Sequence, residues 1–202
     1  MKLTAVIPAR NEEKRIGHIV RKTKKYVDEV LVVDDASYDN TKKEAENSGA
    51  EVISFEKNRG YIAAIKEGFR GSKGDIIITL DGDGEHDPHD IPKLVREIEK
   101  GYDLVLGKRK NIDRVSERFL NFLTNLKVKC KDSGTGFRAV KRELALKLEL
   151  RGKCTCGIFV LEAYRHNAKI KEVPIKIKNI DKKRKIAFFH FYQFFYVLRE
   201  LI

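Results

Sequence analysis

No stretch of this 202-residue chain reaches the roughly 18–20 consecutive apolar residues needed to cross a bilayer. The nearest is the aromatic tail "IAFFHFYQFFYVLRELI", which stops short and whose abrupt finish leaves open a longer natural chain. The opening "MKLTAVIPARNEE" has only a short apolar run broken by Pro8 and charges, so no cleaved leader is expected. Cysteine is scarce as well: Cys130, Cys154 and Cys156, an odd number with no C-x-x-C pair, exclude a disulfide scaffold and indicate reduced thiols in a cytoplasmic protein. Cys154-Thr-Cys156 has the form of half a metal site, but no second half stands beside it, and the thiols read as buried bystanders. Negative charge is the third shortage. Against 42 Lys and Arg stand 30 Asp and Glu, a net charge of +12, so the partners expected are anionic: nucleic acid, anionic lipid or phosphorylated small molecules. There is no internal repeat and no low-complexity linker. One domain over residues 1–178 and a basic, aromatic appendage over 179–202 account for the length.

What is present is an alternation of short apolar runs with amphipathic stretches. "LTAVIP", "EVLVV", "AEVISF", "DIIITL" and "YDLVLG" read as buried strands. Between them, Ile16, Ile19, Val20, Thr23 and Val27 share a helical face with Asn11 as its cap, and helices are expected over 41–48, 61–70 and 92–100. Continuously apolar strands separated by helices imply an α/β fold, a mostly parallel sheet covered on both faces. Beyond Gly107 the pattern gives a helix over 115–127, a short strand "GFRAV", a helix over 142–148 and an edge strand "KIKEVPIKI" containing Pro174.

The polar clusters fall just past strand ends: Arg10-Asn11-Glu12, Asp34-Asp35, Asn58-Arg59-Gly60, Asp81 to Asp87, and Lys108-Arg109. In open α/β sheets that rim binds ligands. The densest cluster, "TLDGDGEHDPHD", is not a calcium loop of EF-hand type. His86 occupies the sixth position, where glycine is required, and Pro92 the closing one. A solvated turn fits Gly82, Gly84 and Pro88; a divalent-cation site fits Asp81-x-Asp83 at a strand end, where one hard cation can neutralise a diphosphate. Asp87 and Asp90 suit the start of the next helix, and His86 and His89 read as solvent-facing.

The segments "VIPARNEE", "VVDDASYDNT", "NRGYIAAIKEGF", "GDIIITLDGDGEHDPHDIPKL" and "DSGTGFRAVKRE" occur in the order seen in family-2 glycosyltransferases, and the chain most resembles the dolichol-phosphate mannose synthase type over roughly Leu3 to Ile177. The resemblance implies a GT-A fold, a GDP- or UDP-sugar donor, and Mg or Mn at the D-x-D motif. By position it places Pro8, Arg10, Glu12, Val32 and Asp34 around the nucleoside. It places Asp81, Gly82 and Asp83 at ribose, diphosphate and metal, and Glu85 as a further metal ligand. Arg109 would face the phosphates as part of the catalytic set with Asp81 and Asp83, and Arg138 would lie on the acceptor side. Three departures stand out: Arg10 where the family often has Tyr, Gly82 where Ala is common, and no clear Gly-Ser-Lys element in "NIDKKRKIAFF".

With no Trp in the chain, the Gln-x-x-Arg-Trp motif of processive polysaccharide synthases is excluded. No acidic pair accompanies "KDSGTGFR"; the region instead supplies Arg114, Arg118 and Arg138, suited to an acceptor phosphate. A phosphate monoester is already anionic and needs no general base, whereas a hydroxyl acceptor does. The expectation is therefore an inverting hexosyltransferase acting on a polyprenyl phosphate. Its tail, with Lys182 to Lys185 before Phe188 to Phe195, either anchors it peripherally at the inner face of the cell membrane or packs on the domain or a second subunit. A hydroxyl-acceptor transferase and an inactive nucleotide-sugar-binding relative are the alternatives. A dinucleotide oxidoreductase is a poor fit, since "PARNEE" stands in place of a Gly-rich turn, and nucleic acid is not an expected partner, since no recognition motif is present.

Overall fold

In the computed structural model, which describes residues 1–112, 114–178 and 186–201, one seven-stranded sheet forms the centre. Its strands are β1 (Leu3–Ala9), β2 (Glu29–Asp34), β3 (Glu51–Ser54), β4 (Ile76–Thr79), β5 (Leu104–Lys108), β6 (Arg138–Lys141) and β7 (Ile170–Pro174). They lie in the order β3-β2-β1-β4-β6-β5-β7. Six point the same way; β6 runs antiparallel between β4 and β5, pairing Ile78 with Ala139 and Leu106 with Arg138. The helices are α1 (Ile16–Thr23), α2 (Thr41–Asn47), α3 (Tyr61–Gly71), α4 (Ile91–Glu99), α5 (Val115–Asn125), α6 (Arg142–Ala145), α7 (Ile158–Arg165) and α8 (Ile186–Leu201).

Alternation along the strands sends neighbouring side chains into two cores, because successive residues point to opposite faces. Ala5, Ile7, Val32, Ile76, Ile78 and Val105 meet α1 and α4 on one side. Val6, Ile77, Leu104, Leu106 and Val140 meet α3, α7 and α8 on the other. Both faces are dry, which is why these strands read as unbroken apolar runs. Gly68 of α3 is the tightest point. A Cβ there would stand 2.2 Å from a methyl of Val6, so this helix lies directly on β1.

Four local expectations are revised. Asn11 does not cap α1; it turns the chain at φ +55, its side chain accepts the Tyr38 N–H at 3.1 Å, and the helix starts later, at Ile16. Val27 lies beyond the end of α1, though it still packs on that core. The helix α7, not anticipated from the sequence, is buried on nearly every side and so lacks an amphipathic signature. The reversed direction of β6 was also hidden, because a short apolar run carries no sign of orientation. The expected basic cluster of Lys182, Lys183, Arg184 and Lys185 lies outside the described residues, as do the side chains of Phe188 and Phe189. The described part of α8 packs on α5 and α7, burying His190, Gln193 and Val197.

Candidate functional site

A cavity of about 660 Å³ opens at the C-terminal ends of β1, β2 and β4. It collects Pro8, Arg10, Glu12, Asp35, Asp81, Gly82, Asp83, Glu85, Arg109 and Arg114, residues spread over more than half the chain. Two of the expected nucleoside contacts are not among its walls. Val32 points inward from β2 and is fully buried in the core. Asp34 accepts a hydrogen bond from the Ser37 hydroxyl and closes its own turn. The residue that emerges past the strand end is Asp35. It accepts the N–H groups of Arg59 (2.6 Å) and Gly60 (2.9 Å) and the Asn58 amide, fixing the loop that opens α3.

The acidic stretch divides in an order different from that expected. Ligand atoms of Asp81, Glu85 and His86 all lie within 4.8 Å of one another. His86 is not solvent-facing: it is 2% exposed, its ring lies 5.4 Å from that of Phe137, and its Nδ1 faces the Asp81 carboxylate at 3.9 Å. His89 is the exposed one, its Nδ1 hydrogen-bonded to the Tyr26 hydroxyl at 2.9 Å. Asp83 stands beside this trio, accepting the Glu85 N–H at 3.1 Å and so shaping the turn that presents Glu85. Two carboxylates and an imidazole make a donor set of hard oxygens with one borderline nitrogen, which fits Mg²⁺ or Mn²⁺. The Asp81 carboxylate also accepts the Tyr61 hydroxyl at 3.1 Å, and burial together with the Asp81 charge pushes the Tyr61 phenol well above its usual range, keeping it a proton donor. Asp87 and Asp90 behave as helix-start residues: Asp87 accepts the His89 N–H, and Asp90 is buried, accepting the Lys176 N–H at 2.9 Å.

The opposite wall is basic but internally balanced. Arg109 makes a two-pronged contact with Asp132 (2.8 Å from both Nε and Nη2) and reaches Glu117 at 3.0 Å, while Arg114 meets Glu117 at 2.9 Å. Burial alone would depress the Arg109 pKa; hydrogen bonds and charge from Asp132, then Glu117, outweigh it and hold the guanidinium charged. Asp132 and Glu117 were missed in the sequence, since nothing in their spacing announces a partner.

The three expected acceptor arginines do not converge. Arg114 faces the cavity. Arg118 is exposed and lines a second hollow, of about 920 Å³, with Lys108, Lys110 and Lys131; Arg109 borders both. Arg138 lies out of reach of solvent, its guanidinium stacked 4.5 Å from the Phe159 ring centre and Nη2 donating to Thr155. Its Nε and Nη1 have no hydrogen-bond partner among the described residues. Arg138 opens β6 opposite Thr79, the last residue of β4, and its side chain turns from the strand end toward Phe159 and Thr155.

A model described as glycosyl transferase family 2 matches residues 4–171. The chain is 37% identical over 192 residues to an uncharacterized protein of Methanocaldococcus jannaschii, MJ1222, across 85% of this chain and 79% of that one. It is 34% identical over 161 residues to an undecaprenyl-phosphate 4-deoxy-4-formamido-L-arabinose transferase of Pseudomonas fluorescens, covering 70% of this chain and 47% of that protein, so the chain spans about half of that relative's length. Glucosyl-3-phosphoglycerate synthase from Mycobacterium tuberculosis in complex with UDP superimposes with a TM-score of 0.83 at 22% identity, over 98% of this chain and 79% of that one. The same synthase in complex with Mn²⁺, UDP-glucose and phosphoglyceric acid gives 0.79 at 23%, over 98% and 78%. The sheet and its flanking helices are the GT-A fold of these structures. With its family model spanning β1 to β7, the chain belongs to glycosyl transferase family 2.

Proposed function

We propose that this chain transfers a hexosyl group from a GDP- or UDP-sugar to a polyprenyl phosphate at a membrane surface, as a dolichol-phosphate mannose synthase does. Pro8, Arg10, Glu12 and Asp35 form the end of the cavity suited to the nucleoside, and Asp81, Gly82 and Asp83 the part suited to ribose and diphosphate. Asp81, Glu85 and His86 would hold a divalent cation, which when bound offsets the negative charge that develops on the departing diphosphate. Arg109 and Arg114 complete that wall with N–H donors already fixed by Asp132 and Glu117, so little reorganisation accompanies departure. An acceptor phosphate attacks as an anion, and no side chain is asked to take its proton.

The observation that carries the lipid-phosphate acceptor is a cationic hollow adjoining an exposed apolar surface. Lys108, Lys110, Arg118 and Lys131 line the hollow beside Arg109. Arg118 belongs to α5, whose outer face carries Val115, Phe119 and Phe122 at helical spacing, continued by Leu126 just past its end; α8 alongside exposes Phe191, Tyr192, Phe195 and Tyr196. Phe119 and Phe194 stack at 5.7 Å and join the two helices. Among the described residues no helix is long and apolar enough to cross a membrane, so this surface suits lying on a bilayer. The undecaprenyl-phosphate sugar transferase among the relatives supports the same acceptor class. The test is incubation with labelled nucleotide sugars, polyprenyl phosphate and Mg²⁺ or Mn²⁺. A labelled lipid extractable into organic solvent is expected with one donor. Failure with every donor, or transfer only to hydroxyl acceptors, overturns the proposal.

A further inference from the structure

Cys154-Thr-Cys156, half a metal site in the sequence, acquires its other half from the far end of the chain. The loop between α6 and α7 carries the two thiols, and α8 delivers His190 to them. Ligand atoms of all three lie within 4.8 Å of one another, and each residue is 3% exposed. Cys156 Sγ and His190 Nε2 are 3.6 Å apart. Sulfur at about 2.3 Å and nitrogen at about 2.0–2.1 Å from one tetrahedral cation stand roughly 3.6 Å from each other. The other ring nitrogen is already held: Ser116 Oγ lies 2.7 Å from His190 Nδ1, the outer support that metal-bound imidazoles ordinarily have.

The loop is also braced for this approach. Gln193, nearly one turn past His190, accepts the N–H groups of Lys153 (3.0 Å) and Cys154 (3.2 Å). Gly152, at φ +111, is indispensable to that contact, since a Cβ there would sit 2.3 Å from the Gln193 oxygen. We propose that Cys154, Cys156 and His190 bind a thiophilic divalent cation of the zinc class, which fastens α8 to the wall of the cavity. Two sulfurs and a nitrogen select such an ion, whereas the oxygen-rich trio of Asp81, Glu85 and His86 selects Mg²⁺ or Mn²⁺, so the two sites sort metals by ligand softness. This inference does not depend on the acceptor proposed above.

The same 3.6 Å separation suits a thiol–imidazole hydrogen bond, and experiment separates the two. The reduced full chain, purified without chelator or added metal, is analysed for zinc by mass spectrometry; the stripped chain is then titrated with Co²⁺. Expected are retained zinc, one ion per chain, and a thiolate-to-cobalt charge-transfer absorption. That absorption should disappear in Cys156→Ser and His190→Ala and persist in Asp81→Asn. Ser116→Ala should weaken Co²⁺ affinity roughly 10–100-fold. A folded wild-type chain that retains no zinc and shows no thiolate band, or that proves to hold Cys154 and Cys156 as a disulfide, overturns the inference without recourse to any variant.

Discussion

At the scale of single residues, the site depends on close approaches that only small or pre-paired groups permit. A Cβ at Gly136 would lie 2.6 Å from the Asp81 carboxylate. The backbone there is not in the left-handed region, so alanine is conformationally acceptable and its whole effect falls on Asp81. Gly136→Ala is therefore expected to leave the melting temperature nearly unchanged while weakening Mn²⁺-dependent nucleotide binding by roughly 10–100-fold, the scale for displacing a ligand's surroundings. Calorimetric titration with and without Mn²⁺ checks it, and unaltered affinity would remove Asp81 from the cation site. The buried Arg109–Asp132 pair is the opposite case. Removing Asp132 leaves the buried guanidinium with Glu117 alone, and Asp132→Ala should cost about 3 kcal/mol in urea unfolding. That Asp81, Asp83, Arg109 and Arg114 share one cavity was legible from their places past strand ends in the sequence, although Arg118 and Arg138 do not join them. The place of His86 was not, because the Phe137 ring that covers it comes from a segment some fifty residues away. Val32 misled for a related reason: in the middle of a strand buried on both faces, a side chain packs into the core and does not reach a ligand at the strand's end.

Elements set which surfaces remain open. In α8 the inner face buries two polar side chains, His190 and Gln193, beside Val197, while the outer face is aromatic and exposed, unlike an ordinary surface helix. Of the two readings of the tail, the packing helix describes its inner side; the anchor proposed above would use its outer one. Each aromatic side chain withdrawn from water contributes about 1.5–3 kcal/mol. Phe122→Glu together with Phe195→Glu should then abolish flotation with vesicles containing anionic lipid, while leaving nucleotide binding intact. Retained flotation would place the lipid contact elsewhere. The helical spacing on α5 and the aromatic density of α8 could be read from the sequence. Their adjacency could not, since it depends on how α8 crosses the fold.

For the molecule as a whole, a net charge of +12 coexists with carboxylates tied closely into the fold. Asp103, just before β5, ties the end of β6 to the residue that precedes β7: it accepts Lys141 Nζ at 2.7 Å and the Lys169 N–H at 2.8 Å. Burial would raise its pKa, but these partners outweigh burial and hold it below the ordinary 3.8. A depressed folded-state pKa contributes stability that is complete above the ordinary carboxylate range and is lost as pH falls through the lower folded value. Asp103→Asn should accordingly cost about 1 kcal/mol at neutral pH. The difference from the parent should shrink as pH falls past the ordinary 3.8 and vanish beneath the lower folded value, as measured by chemical unfolding across pH. The fold class was legible because apolar strands and helices alternate in strict order as far as β5. Beyond it, order in sequence and order in space part company, and β6 bears the cost. In the finished sheet the neighbour of β4 on one side is β6, so its isoleucine edge lacks its native partner until residue 141 has emerged. A chain that folds as it is made would carry that open edge through the making of some sixty residues, and edges of that kind are where sheets aggregate.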